Sequence, residues 1–195
     1  LMGRPSTRKT RNPKNVKIRY AGFTEGLVTE RQYLELLYQQ IRPKHATIKI
    51  HAIGGEPSRV LKECNKALRK DDFDHAILIV DVDQHQRLDE VLTSCRNSSE
   101  VDTIVSNPCF ELWLLWHTQN QTGYIESRGC VNLAHRAKVT DEKALTTRLP
   151  HANYEAAIER ARKAWPGLTP NEKGPNPSSA MPWLIDLLVS PPKEK

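Results

Sequence analysis

Hydrophobic and polar residues alternate along the chain in two different periods. Four short apolar or alternating segments are typical of β-strands, and they lie at residues 16–21, 47–53, 74–80 and 101–106. After each of them, apolar residues recur at three- and four-residue spacing, which predicts helices at residues 29–41, 57–68, 88–97 and 110–117. Strands that alternate with helices favour an α/β domain with a central, mostly parallel sheet flanked by helices, covering residues 15–118.

Individual residues indicate where these elements begin. Thr29-Glu30-Arg31-Gln32 has the T-x-x-Q form of a capping box, so the first helix is predicted to begin there, after a loop at residues 22–28. Pro57 and Pro108 suit the first turns of two later helices. Residues 76–80 are all apolar, which is typical of a strand buried on both faces of a parallel sheet.

The pattern changes beyond residue 118. Residues 119–148 are polar with few apolar positions in register, which suggests an insertion or a mobile lid. Helical spacing returns at residues 154–165 and 183–189. We therefore expect residues 119–195 to form a loop-rich, helical C-terminal appendage that packs on the sheet domain.

Basic charge is concentrated at the N-terminus. The chain carries a net charge of +6, yet residues 1–19 alone hold seven Lys and Arg and no acid, which leaves residues 20–195 at −1. Residues 1–14 are polar and basic with two prolines, which predicts a disordered tail that attracts nucleic acid.

Several classes of protein are disfavoured by composition. The longest uninterrupted apolar stretches are five residues, whereas a membrane span needs about twenty. The basic N-terminus lacks the apolar core of a secretory signal, so a cytoplasmic location is expected. The four cysteines form no C-x-x-C pair, so we expect reduced thiols and neither a zinc knuckle nor a redox motif.

Acidic residues follow the predicted strands. Glu25 comes after the first strand, and Asp81 and Asp83 directly follow the apolar strand at residues 76–80. Ligands of open parallel sheets bind at the carboxyl ends of the strands, where two carboxylates can converge on a hard cation such as Mg²⁺. Glu111 is the only acid in its apolar helix, so it should face solvent, meet a base or help to bind metal.

Four segments together carry a family resemblance. Residues 25–34 match the pattern E-G-x-x-T-E-x-x-Y, and residues 81–85 contain D-x-D followed by Gln and His. Residues 106–117 read S-N-P-x-F-E-x-W-L-L-x-H, and residues 176–179 read N-P-S-S before the last helix. These motifs resemble those of the RloB-like family, over about residues 16–189.

The resemblance implies a Toprim-type catalytic core, as found in primases, topoisomerases and related nucleases. It implies a metal-dependent endonuclease that hydrolyses DNA or RNA in anti-phage defence and abortive infection, commonly beside an RloA-type ATPase partner. Mg²⁺ or Mn²⁺ would be held by Glu25, Asp81, Asp83 and Glu111. Glu25 would serve as general acid or base, and Glu30 of the same motif is a further catalytic candidate, although a first-turn Glu also stabilises a helix.

Other motif residues are candidates for contact with substrate. Gly26 would let the backbone approach a phosphate. His85 and His117 could contact phosphate or orient a carboxylate, or could simply pack as polar residues. Ser106 and Asn107 lie where they can cap the following helix, next to the predicted site.

Two other functions are compatible with the same acids. A Mg²⁺-dependent phosphatase would use a D-x-D nucleophile at a strand end, but that class expects Thr or Val where this chain has His85. A non-catalytic module could bind nucleic acid or an ATPase partner through the basic tail. The choice between DNA and RNA, the number of metal ions and the oligomeric state stay open at this point.

Overall fold

The computed structural model describes residues 17–70, 73–82, 87–142 and 144–191. In chain order the elements are β1 (Ile18–Thr24), α1 (Thr29–Ile41), β2 (Ala46–Ala52), α2 (Pro57–Leu68), β3 (His75–Asp81), α3 (Leu88–Arg96), β4 (Val101–Asn107), α4 (Glu111–Leu115), α5 (Ser127–Arg136), β5 (Thr140–Asp141), β6 (Ala144–Leu145), α6 (Tyr154–Ala164), β7 (Ser178–Ser179) and α7 (Met181–Val189). A 3₁₀ turn at His151–Asn153 precedes α6. The predicted tail at residues 1–14 lies outside the described residues, as do Asp83 and His85.

One five-stranded sheet forms the centre of the fold, in the order β2-β1-β3-β4-β7. The pairs among β2, β1, β3 and β4 are parallel, and β7 is antiparallel to β4. The short strands β5 and β6 form a separate hairpin. The sheet is mostly parallel and flanked by helices, and a helix lies at the C-terminal end, so the predicted α/β class is confirmed.

Both faces of the sheet are covered because the central strands are apolar on both sides. On one face, β-strand residues such as Phe23 and Leu78 pack against α2 and α3. On the other face, Ile77 and Ile104 belong to a larger core that includes α1 and the helices α4 to α7. Residues 76–80 are all buried, in agreement with the prediction of a central strand.

The first strand extends further than predicted. Residues 22–24 were expected in a loop, but they continue β1 and pair in register with both β2 and β3. Gly22 obscured the strand pattern, and packing explains it, since a Cβ there would lie 3.0 Å from Ile50 Cδ1. The extension places Thr24 at the carboxyl end of the sheet, directly before Glu25.

The predicted capping box is wrong. The N-cap of α1 is Val28, which makes no side-chain capping hydrogen bond. The side-chain oxygen of Gln32 instead accepts the Leu145 N–H at 2.9 Å. Gln32 therefore ties the β5–β6 hairpin to α1.

Residues beyond 118 contribute to the central sheet, although no strand was predicted there. Ser179 pairs with Ser106 across β7 and β4, and their Oγ atoms are 3.0 Å apart. The polar stretch at residues 119–148 contains α5 and the β5–β6 hairpin. The division into a domain at residues 15–118 and an appendage at residues 119–195 stays a prediction.

Composition led us to expect no membrane-spanning helix and reduced cysteines. Within residues 17–70, 73–82, 87–142 and 144–191, no helix is long and apolar enough to cross a membrane. The four cysteines are buried free thiols.

Candidate active site

The carboxyl ends of β1 and β3 bring Glu25 and Asp81 together. Thr24 is the register partner of Ile79, and the Glu25 N–H donates to the Ile79 carbonyl at 3.1 Å. The Asp81 N–H donates to Glu25 Oε2 at 3.2 Å. The Glu25 side chain therefore crosses from the end of β1 to the end of β3.

Glu30 is a buried acid on the first turn of α1. Its exposed fraction is 8%, and the backbone N–H groups of Gly26 and of Glu30 itself lie near enough to its carboxylate to favour the ionised form. Gly26 leaves the necessary room, because a Cβ at this position would overlap the Glu30 carboxylate. Thr24 stabilises the same turn, since its Oγ1 donates to the Gly26 carbonyl at 2.7 Å.

The end of β3 is also connected to α4. The backbone N–H of Phe110 lies near enough to the Asp81 carboxylate to favour its ionised form, and Phe110 immediately precedes the half-buried Glu111 at the start of α4. Two separate backbone segments thus orient the acids around Asp81.

The charges of Glu25, Glu30, Asp81 and Glu111 influence one another at this edge of the sheet. Burial raises the pKa of Asp81 well above its ordinary value, and the carboxylates of Glu30, Glu111 and Glu25 raise it further. Burial, followed by the charges of Glu111 and Glu25, raises the pKa of Glu30 to about 7. Such crowding of like charges disfavours full ionisation unless a cation is present.

The chemistry of this cluster fits a hard divalent cation, because carboxylate oxygens are the ligands that Mg²⁺ prefers. Within the part of the chain that the structure describes, no three His, Cys, Asp or Glu side chains are already grouped closely enough to hold an ion. Asp83, the remaining predicted ligand, lies outside the described residues.

The motifs that supply these acids lie within a family match. A family model for the RloB-like protein matches residues 22–188. The chain belongs to the RloB-like family. This confirms the family predicted from the motifs, and the match extends from β1 into α7. Comparison with curated proteins and with solved structures gives no match.

Two polar residues of the RloB-like S-N-P motif have structural roles. Ser106 is fully buried and its Oγ bonds Ser179, while Asn107 is 7% exposed and its Nδ2 donates to the Gly174 carbonyl at 2.9 Å. Both side chains have partners inside the protein, and their contact with a substrate stays a prediction. These residues join β4 to the C-terminal segment.

His117 is a core residue and not an exposed phosphate contact. It is 1% exposed, its Nε2 lies 3.1 Å from the Tyr33 hydroxyl, and its Nδ1 lies 2.9 Å from the Trp113 carbonyl. Burial lowers its pKa to about 4, and the positive charges of Arg160 and His151 contribute. His117 is therefore neutral at pH 7 and fixes Tyr33 against α4.

His117 should make the fold sensitive to acid. Its pKa is lower in the folded chain than in the unfolded chain, so the unfolded chain binds the proton first as the pH falls below 6.5. Relative to His117→Gln, wild type should lose about 2 kcal/mol of unfolding free energy between pH 7 and pH 5. Urea unfolding of both proteins measures this difference, because all other titrating groups are shared.

The exposed His135 provides the control for this experiment, since 63% of its side chain is accessible. His135→Gln should follow wild type across the same pH range. Equal pH dependence of wild type and His117→Gln would contradict the buried neutral imidazole.

The sequence did not reveal all the groups that organise the site. The Phe110 N–H lies near the Asp81 carboxylate, and the Thr24 hydroxyl stabilises the turn that carries Gly26, but neither was a candidate. Phe110 acts through its backbone, which no side-chain pattern reports. Thr24 could have been found if β1 had been extended to its true end.

Proposed function

We propose that this chain is a metal-dependent phosphodiester hydrolase that cleaves DNA or RNA. The supporting observation is the set of Glu25, Glu30, Asp81 and Glu111 at the carboxyl edge of a parallel sheet, where the Glu25 carboxylate accepts the Asp81 N–H and the other three acids raise the pKa of Asp81. An excess of negative charge at a phosphate-cleaving site is physically reasonable only if a metal reverses the local sign.

The proposal assigns a role to each acid. Glu25, Asp81 and Glu111 hold Mg²⁺ or Mn²⁺, with Asp83 as a further ligand. A divalent metal bound there supplies positive charge against the scissile phosphate and lowers the pKa of a bound water. Glu25 also accepts or delivers a proton, and Glu30 keeps a protonatable carboxyl group behind Gly26.

Cleavage assays provide the direct test. Wild type should cut duplex DNA, single-stranded DNA or tRNA with Mg²⁺ or Mn²⁺ present and should not cut with EDTA. Glu25→Gln should lower the rate by about 10²-fold, the lower end of typical general acid–base contributions. Glu90→Gln removes an exposed acid on α3 and should leave the rate unchanged.

The assays also distinguish the other candidate functions. Hydrolysis of p-nitrophenyl phosphate without nucleic-acid cleavage would indicate a phosphatase. Binding of nucleic acid without cleavage of any substrate in either metal would indicate a non-catalytic module.

The proposed biological role is cytoplasmic anti-phage defence together with an RloA-type ATPase. Family membership supports this role. An uncontrolled nuclease would be toxic to its own cell, so we expect the ATPase partner to change the cleavage rate of the purified chain. A cleavage rate that is identical with and without the ATPase would argue against this regulation.

A further inference from the structure

A strongly basic surface lies beside the acidic cluster, in a part of the chain outside the basic tail. Residues 44–70, which contain β2 and α2, hold seven Lys and Arg against two acids, a net charge of +5. Residues 20–195 as a whole have a net charge of −1. The small net charge of residues 20–195 is therefore the sum of a basic region at residues 44–70 and an acidic remainder that includes the carboxylates of the site.

The cations of α2 form a stripe along one side of the helix. Arg59, Lys62, Lys66 and Arg69 are all exposed and follow each other at three- and four-residue spacing, which places them on one face. From Arg59 to Arg69 the stripe is about 15 Å long. The phosphates of one duplex strand repeat about every 3.4 Å along the axis, so the stripe can follow about four nucleotides.

A shallow cavity extends this surface toward the edge strand. It has a volume of about 210 Å³, and Lys49 of β2 lines it together with Lys66 and Lys70. Among the ion pairs formed by described residues, Lys66 is the only one of these cations with an acidic partner, Glu63, at 3.3 Å. Such an exposed pair is weak, so it leaves the lysine available for a phosphate.

The basic stripe begins next to the turn that carries the acids. The Ile53 N–H donates to the Thr24 carbonyl at 3.1 Å, which holds the start of the β2–α2 connection beside Glu25. Gly54 and Gly55 have positive φ angles of 74° and 90° there, and a Cβ on Gly54 would lie 2.9 Å from Leu27 Cδ2. Arg59 comes four residues after Gly55, and its side chain lies back against the turn, since a Cβ on Gly55 would be 3.5 Å from Arg59 Cδ.

We propose that the α2 stripe, with the Lys49 cavity beside it, binds the phosphate backbone of the nucleic-acid substrate. This inference rests on the proposed function, because it assigns the surface that leads the substrate to the acidic cluster. The contacts are to phosphates, so binding is insensitive to base sequence and strongly dependent on salt. An acidic protein partner is the competing occupant.

Binding measurements in the full chain test this surface. Every protein carries Asp81→Asn and is kept in EDTA, so that no substrate is cut, and the probes are fluorescein-labelled duplex and single-stranded DNA and RNA. The variant Lys62→Gln, Lys66→Gln, Arg69→Gln should bind about tenfold or more weakly at low salt. The slope of log affinity against log salt should fall by about two to three for duplex DNA, since each phosphate contact contributes about 0.9.

A second triple variant is the matched control. Arg128→Gln, Arg136→Gln, Arg148→Gln removes the same charge from exposed positions elsewhere and should keep most of the affinity and slope. The proposal is overturned if the α2 variant binds like its parent, if both triple variants lose binding equally, or if the parent binds no nucleic acid at low salt.

The same two triple variants, made in the chain that keeps the wild-type Asp81, are then tested for cleavage. Their cleavage rates show whether the binding surface and the nuclease assignment stand or fail independently. If the α2 variant binds and cleaves as well as its parent, the α2 stripe is not the binding surface, but the nuclease assignment stands. If the α2 variant loses binding and wild type shows no metal-dependent cleavage, the α2 stripe is supported as a binding surface and the nuclease assignment is rejected.

Discussion

Asp81→Asn should lower metal-dependent cleavage by about 10³-fold or more. Asn preserves the size of the side chain and one polar oxygen, but it removes the charge that the proposed metal requires. A metal contributes several kcal/mol to the transition state, and each 1.36 kcal/mol corresponds to about tenfold in rate. Initial rates on the substrate that wild type cuts measure the loss.

The same substitution should stabilise the metal-free protein. The carboxylate of Asp81 lies among three other acids, and the amide relieves that repulsion. A gain of about 1 kcal/mol would raise the melting temperature by about 2–4 °C in a chain of this size. A variant that loses activity and gains stability is typical of a functional site, because unfolding would change both quantities in the same direction.

Thermal shifts with metal complete this prediction. Mg²⁺ or Mn²⁺ should raise the melting temperature of wild type, since a ligand that binds only the folded state stabilises it. The shift should disappear in Asp81→Asn and persist in Asp89→Asn, which removes an exposed acid from α3. An equal metal shift in Asp81→Asn, or a metal-free melting temperature below wild type, would argue against this assignment.

The sequence predicted the position of a residue best where that position depends only on the strand that precedes it. Carboxyl ends of parallel strands meet at one edge, so residues that follow β1 and β3 must be neighbours, and Glu25 and Asp81 are. The continuous apolar run of β3 identified its central place in the same way. These features require no knowledge of how distant segments pack.

Features that depend on distant partners could not be predicted. β7 has two serines, too few for any periodic pattern, and it forms only because β4 offers an edge. His117 has a helical spacing that suits a core or a surface position, and its partner Tyr33 lies 84 residues earlier. The α2 stripe was also missed, because the charges of residues 20–195 sum to only −1, so the excess of cations at residues 44–70 does not show in the total.

Gly26→Ala is expected to impair both stability and cleavage through Glu30. Gly26 has no positive φ, so its backbone conformation is open to other residues, but an added Cβ would overlap the Glu30 carboxylate. Forcing the buried carboxylate aside should cost about 1–2 kcal/mol of unfolding free energy. If Glu30 serves the reaction, its displacement should also lower cleavage by about 10²-fold.

A double-mutant cycle shows whether Glu30 mediates these effects. In a Glu30→Ala background the clash is absent, so adding Gly26→Ala should change the unfolding free energy by less than about 0.5 kcal/mol. Gly167→Ala is the matched control, because a Cβ there meets no atom within 4 Å. If Gly26→Ala lowers the unfolding free energy equally in wild type and in Glu30→Ala, the backbone of the turn, and not the clash with Glu30, is the cause. A coupling that disappears with Glu30 would show that Gly26 is required in this motif to make room for a buried acid.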